Sequence, residues 1–179
     1  SGSGTIADPY VIDGLEIDAA GQGAAIYIGN TTSYLRISNC TLYGASYKTE
    51  HFANGGGIIL YRVQNATVEN NAITSSHHGA YGEYALNIVF NGNTISAVNF
   101  YGIAISSSDL CVIDSNNVTT SNSGVSITNG EDCEVRDNLL SGNSNSGVRV
   151  DTSSNILVEN NTCDNDGMSG ISISNSDHL

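Results

Sequence analysis

The chain has 179 residues, 5 Lys+Arg against 18 Asp+Glu, a formal charge of −13 and 39% hydrophobic side chains. That acidic excess excludes a nucleic-acid binder working through phosphate contacts, which needs a basic face. No apolar run reaches the ~18 residues of a membrane-spanning helix, so no direct membrane insertion is expected, and dispersed Ile and Val argue for a packed core rather than disorder.

Residues 1–8 read as a leader. From Ile12 onward one pattern recurs: an apolar residue, two mostly polar ones, usually Asn, one of any type, then an apolar residue. Copies begin at Ile12, Ile37, Val68, Phe90, Ile113, Val135 and Val158, and the later steps are 22 or 23 residues. A second pattern lies eleven residues before each later copy: Gly57-Ile58-Ile59-Leu60, Gly102-Ile103-Ala104-Ile105, Gly124-Val125-Ser126-Ile127 and Gly147-Val148-Arg149-Val150. Gly79-Ala80-Tyr81-Gly82 is a degenerate copy, and Gly170-Ile171-Ser172-Ile173 opens one more turn. Apolar alternation predicts strands rather than helices. Strands this short cannot bury a face alone, so successive turns must stack into a continuous core. The predicted fold is all-β, a single-stranded parallel β-helix of about seven turns, forming one domain over 1–179.

Alignment by turn sorts residues into columns. One column reads Leu15, Cys40, Asn71, Asn93, Asn116, Asn138 and Asn161, and its five Asn predict an interior ladder of stacked side-chain amides. Another, Leu35, Ala66, Ile88, Cys111, Cys133 and Ile156, is read as interior. Cys111 and Cys133 then stack one turn apart with parallel Cβ vectors, a poor match to a disulfide, and read as buried free thiols. Outside, Asp114, Arg136 and Glu159 suggest a charge ladder with Arg136 between two acids.

The step between Val68 and the copy before it is 31 residues, and the excess forms an inserted loop at 43–57. Loops leaving the same corner of successive turns stack, so this one should lie against 75–78 and 97–101. The candidate binding residues gathered there are Tyr47, Glu50, His51, Phe52, His77, His78, Tyr81 and Tyr101, with Tyr43, Lys48 and Phe100 beside them. Tyr rings suit sugar CH faces, while His, Asn and Glu suit hydroxyls. The competing reading is a cap in which aromatics cover a sheet edge. His51, His77 and His78 lack a metal-ligand spacing. Asp164 and Asp166 in Asp164-Asn165-Asp166-Gly167 look like the start of a calcium loop without its remaining ligands, and read as an exposed turn. No cofactor is expected, with Ca²⁺ at these two acids as the alternative.

The two patterns together resemble the right-handed parallel β-helix repeat shared by pectate-lyase-like proteins and by NosD-like and carbohydrate-binding and sugar-hydrolase (CASH) families. The resemblance covers nearly the whole chain and implies a right-handed coil. It also implies an exported protein, extracellular or at the cell surface, acting as a structural or adhesive module with polysaccharide as its partner. The alternatives are a polysaccharide-active lyase or hydrolase, and a subunit of a stacked surface fibre. A family lyase would carry calcium-binding carboxylates and a Lys or Arg base on one strand face. Here the one Lys is in the insertion, and Arg36, Arg62, Arg136 and Arg149 fall in separate turns. The turn opened at Gly170 stops at Leu179, so a continuation of the parent chain, or like subunits, is expected at that end.

Overall fold

Each turn of the chain lays one short strand on each of three faces, and strands of successive turns pair in parallel. The computed structural model describes residues 2–48, 55–119 and 121–177, which contain twenty strands and no helix. The first sheet stacks β1 (Tyr10–Asp13), β4 (Leu35–Ser38), the second half of β6 (Gly56–Glu69), β9 (Leu86–Asn91), β12 (Val112–Asp114), β15 (Glu134–Arg136) and β18 (Leu157–Glu159). The second stacks β2 (Glu16–Asp18), β5 (Thr41–Tyr43), β7 (Ala72–Thr74), β10 (Thr94–Ser96), β13 (Asn117–Thr119), β16 (Leu139–Ser141) and β19 (Thr162–Asp164). The third stacks β3 (Ala24–Thr31), the first half of β6, β8 (His78–Glu83), β11 (Tyr101–Ser106), β14 (Ser123–Thr128), β17 (Ser146–Asp151) and β20 (Ser169–Ser174). Seven strands in the second sheet make seven turns, as the repeat predicts.

Single left-handed residues make the bends. Between the first and second sheets, Asn39, Asn70, Ser115, Asp137 and Asn160 all have φ between 53° and 56°, and Gly14 and Gly92 occupy the same column. Asn, Asp and Gly tolerate this region because a short polar side chain or no Cβ relieves the clash with the backbone. A second such column, after the third sheet, reads Asn30, Arg62, Tyr84, Ser107, Asn129, Thr152 and Asn175.

Inside, the columns close on one another. Ile37, Ile58, Leu60, Ile88, Phe90, Ile95, Ile103 and Ile113 are fully buried in one continuous core. Each such side chain stabilises the fold by about 1.5–3 kcal/mol. The column Ile58, Ala80, Ile103, Val125 and Val148 is sealed, while Ile171, next in line, is half-exposed. Glycine is required where the third sheet meets the second: a Cβ on Gly102 would stand 2.2 Å from Val118 Cγ1 and 2.5 Å from the Gly124 carbonyl. Gly57, Gly79 and Gly147 face comparable clashes.

The Asn ladder forms as predicted. Asn71, Asn93, Asn116 and Asn138 are buried, and Asn161 is half-buried. Each Oδ1 from Asn93 to Asn161 accepts from both the backbone N–H and the side-chain amide of the Asn one turn earlier, at 2.9–3.0 Å. Each Nδ2 also donates back to a carbonyl of the preceding turn, as Asn93 does to Val68 at 2.9 Å.

Arg136 stands in register between Asp114 and Glu159, as the charge ladder predicts, and it pairs with Asp114 at 3.1 Å on the preceding turn and with Glu134 at 3.5 Å on its own strand. One reading needs correction. Asp166 is no exposed turn residue: its Oδ1 accepts from the N–H and side-chain amide of Asn143, whose own Oδ1 accepts from Ser121 Oγ at 2.6 Å. This is a second ladder, at the bend between the second and third sheets. A third runs through Ser108, Ser153 and Ser176, whose hydroxyls accept from Ala85, Gly130 and Ser153 backbone N–H groups.

Candidate functional site

The backbone stack decides which side chains meet at the loop corner. His77 N–H donates to the Ala45 carbonyl at 2.9 Å, Phe100 N–H to His77 at 2.8 Å and Asn122 N–H to Phe100 at 2.7 Å. Residues held one above another in this way project their side chains in parallel, and the His77 and Phe100 rings stack at 5.6 Å and 5°. Tyr47, from the inserted loop, reaches the same imidazole at 5.3 Å. The described part of the loop, 44–48, therefore lies against 75–77, with 97–101 stacked on the next turn.

His78 lies behind this surface. It is 2% exposed, and its ring contacts His77, Tyr81, Phe100 and Tyr101 at centroid distances of 4.8–5.5 Å. Its Nδ1 is buried with no hydrogen-bond partner. Burial, with the adjacent His77 adding to it, lowers the His78 pKa to about 3, and burial also draws His77 below its ordinary value. Both imidazoles are thus neutral at neutral pH.

Of the predicted residues, Tyr47 and Phe100 are well exposed at 49% and 41%, and His77 and Tyr101 are half-buried. Tyr81 is buried with Ile59 and Ala104 on the outer side of the third sheet. Glu50, His51 and Phe52 lie outside the described residues. A second aromatic group, formed by Tyr27, Tyr61 and Tyr84 with Arg62, sits at the other end of β8 and escaped the sequence reading. Its members fall in three different turns, and only the register Tyr61↔Glu83, which sets Tyr84 beside Tyr61, brings them together.

A chain coiled through three parallel sheets, with polar ladders at its bends and an aromatic corner on its outer surface, is a parallel β-helix repeat protein. The chain belongs to the NosD family: the family model described as "Periplasmic copper-binding protein (NosD)" matches residues 33–179. No curated relative matches the sequence. Among solved structures, the enzymatically active domain of bacteriophage CBA120 tailspike protein 2 is similar at TM-score 0.55 and 10% identity, covering 87% of this chain and 32% of that one. The periplasmic alginate epimerase AlgG is similar at TM-score 0.53 and 13% identity, covering 93% and 50%. DFA-IIIase from Arthrobacter chlorophenolicus A6 is similar at TM-score 0.51 and 15% identity, covering 82% and 48%. At these identities the likeness shows the fold. The chain spans between a third and a half of the length of these proteins.

Copper calls for thiolate, thioether or imidazole donors that converge. Among the described residues no three His, Cys, Asp or Glu side chains do so. Cys111 and Cys133 are sealed in the core, where their shared hydrogen bond and then burial push the Cys111 thiol up. Met168 is exposed in the last turn, four turns along the stack from His77. His78 Nδ1 is free, but the rings around it other than His77 offer no second ligand. The described residues do not fit a copper ion.

Proposed function

We propose that this chain is an exported, non-catalytic β-helix module that binds polysaccharide across the Tyr47–His77–Phe100 corner. The observation that carries this reading is the stacked His77–Phe100 pair with Tyr47 beside it, in which the Tyr47 and Phe100 rings are exposed and flank the half-buried His77 on a backbone stack. Ring faces of this kind pack against the CH faces of sugars, and the neutral His77 imidazole offers one donor and one acceptor to hydroxyls. His78 and Tyr81 support the surface from beneath. The alginate epimerase and the tailspike enzyme share the fold, which supports an extended outer surface as a place for a glycan but assigns no chemistry to this chain.

A glycan array with the full chain, followed by product analysis of each bound polymer, tests the proposal. Binding without cleavage is expected, with affinity reduced about tenfold, or 1.4 kcal/mol, by Phe100→Ala or Tyr47→Ala. Cleavage of the bound polymer would establish the enzyme reading instead. Binding indifferent to both substitutions would remove the corner from consideration.

A further inference from the structure

We propose that Arg62, Tyr61, Tyr84 and Tyr27 form a second ligand site, separate from the loop corner, that takes a sugar unit bearing a carboxylate or sulfate. Arg62 and Tyr84 stand in the left-handed column that follows the third sheet, at φ 52° and 51°. In other turns that column holds Asn30, Ser107, Asn129, Thr152 and Asn175. Large side chains are poorly suited to this backbone region, so their presence on two successive turns costs stability that Asn would not. Residues kept against such a cost point to a use of the side chain.

The side chains make a defined surface. The Arg62 Cζ lies 5.2 Å from the Tyr61 ring centroid and 5.8 Å from that of Tyr84, and the two rings meet edge to face at 5.9 Å. Arg62 and Tyr84 are exposed, and Tyr27, one turn earlier, is 43% exposed. The Tyr27 ring lies along its own strand over Gly29, where a Cβ would come within 2.7 Å of the Tyr27 hydroxyl, so glycine leaves that ring its place.

Charge decides the ligand class. Arg36, Arg136 and Arg149 each pair with a carboxylate, at 3.8, 3.1 and 2.9 Å. Arg62 has no ion pair among the described residues, although acids outnumber bases more than threefold in this chain. Its guanidinium rests on two aromatic rings and keeps its N–H fork for an anion from outside. One unpaired cation beside three tyrosines suits a sugar with one anionic group and apolar CH faces, whereas a dense polyphosphate would meet the repulsion of the whole acidic surface. Glu83, in register with Tyr61, is the carboxyl such a ligand would approach. It is half-buried.

The site lies at the far end of β8 from His78, about 17 Å away at ~3.3 Å per residue, so it stands or falls apart from the loop corner. Calorimetric titration of the full chain with oligogalacturonate, dextran sulfate oligomers and neutral dextran oligomers tests it. At least one anionic probe should bind tenfold or more tightly than the neutral one, and the two anionic arms distinguish carboxylate from sulfate. Arg62→Asn should abolish that preference and flatten its salt dependence. Because Asn occupies the same column at 30, 129 and 175, this variant should fold with an unchanged or raised Tm. Tyr84→Ser, which brings in the residue type found at Ser107 one turn later, should weaken binding about tenfold, while Arg149→Gln, in neither site, leaves it unchanged. Equal binding of charged and neutral probes, or retention of the preference in Arg62→Asn, would overturn the proposal.

Discussion

The Oδ1 of Asn116 accepts two hydrogen bonds from a single residue, Asn93 of the preceding turn, one from its backbone N–H at 3.0 Å and one from its side-chain amide at 2.9 Å. Asn116 itself donates to the carbonyls of Phe90 and Asp114 and to Asn138 Oδ1. Asn116→Leu therefore strips partners from several buried polar groups at once. Unfolding in urea should show a loss of about 3 kcal/mol or more. The equivalent change at Asn161, the half-buried last rung, should cost clearly less. Equal losses at the two positions would mean that the ladder is not the source of the stability.

Gly102 and Gly142 separate steric need from conformational need. A Cβ at Gly102 would overlap Val118 and the Gly124 carbonyl, and backbone cannot yield as the end of a side chain can. At Gly142 nothing lies within 4 Å, but φ is +65°. Gly102→Ala should cost about 3 kcal/mol through overpacking, and Gly142→Ala only about 1 kcal/mol through the left-handed backbone. Thermal unfolding of the two variants side by side checks the order.

His78 predicts a pH dependence of stability. Its folded pKa is depressed to about 3 from an ordinary 6.5. Between those values the unfolded chain binds the proton and the folded chain does not. Its contribution is thus fully present above pH 6.5 and is lost as pH falls toward about 3, with a slope of up to about 1.4 kcal/mol per unit. His77, shifted the same way by burial, adds to the slope. Asp13 and Asp151, held below the usual 3.8 by side-chain hydrogen bonds, lose their contributions at lower pH still. Urea midpoints at pH 7.5 and pH 5 should differ in the wild type and differ less in His78→Phe, which keeps an aromatic ring among Tyr81, Phe100 and Tyr101.

The coil was legible because Asn71, Asn93, Asn116, Asn138 and Asn161 repeat one residue type at one spacing for one physical reason. Where the reason is a backbone angle, many residue types satisfy it and the column does not show. Arg62, Tyr84 and Thr152 share a bend with Asn30, and nothing in their chemistry announces it. The ladder ending at Asp166 was hidden likewise: Ser121, Asn143 and Asp166 are three different residues stacked on successive turns at one bend. The loop corner showed in the length of one step, which placed Tyr47 against His77, on which Phe100 stacks. The Arg62 site had no such mark, since its tyrosines become neighbours only through the register of β3, β6 and β8.

Every rung of the Asn ladder points the same way. The backbone N–H of Asn93 finds its acceptor on Asn116, that of Asn116 on Asn138, and that of Asn138 on Asn161. The backbone N–H of each bend is thus satisfied by the turn that follows it in the chain, while the side-chain amide also holds on to the turn behind. For a polypeptide emerging from the ribosome amino end first, closure of each coil waits on some 22 further residues, and the newest coil is always the one left ajar.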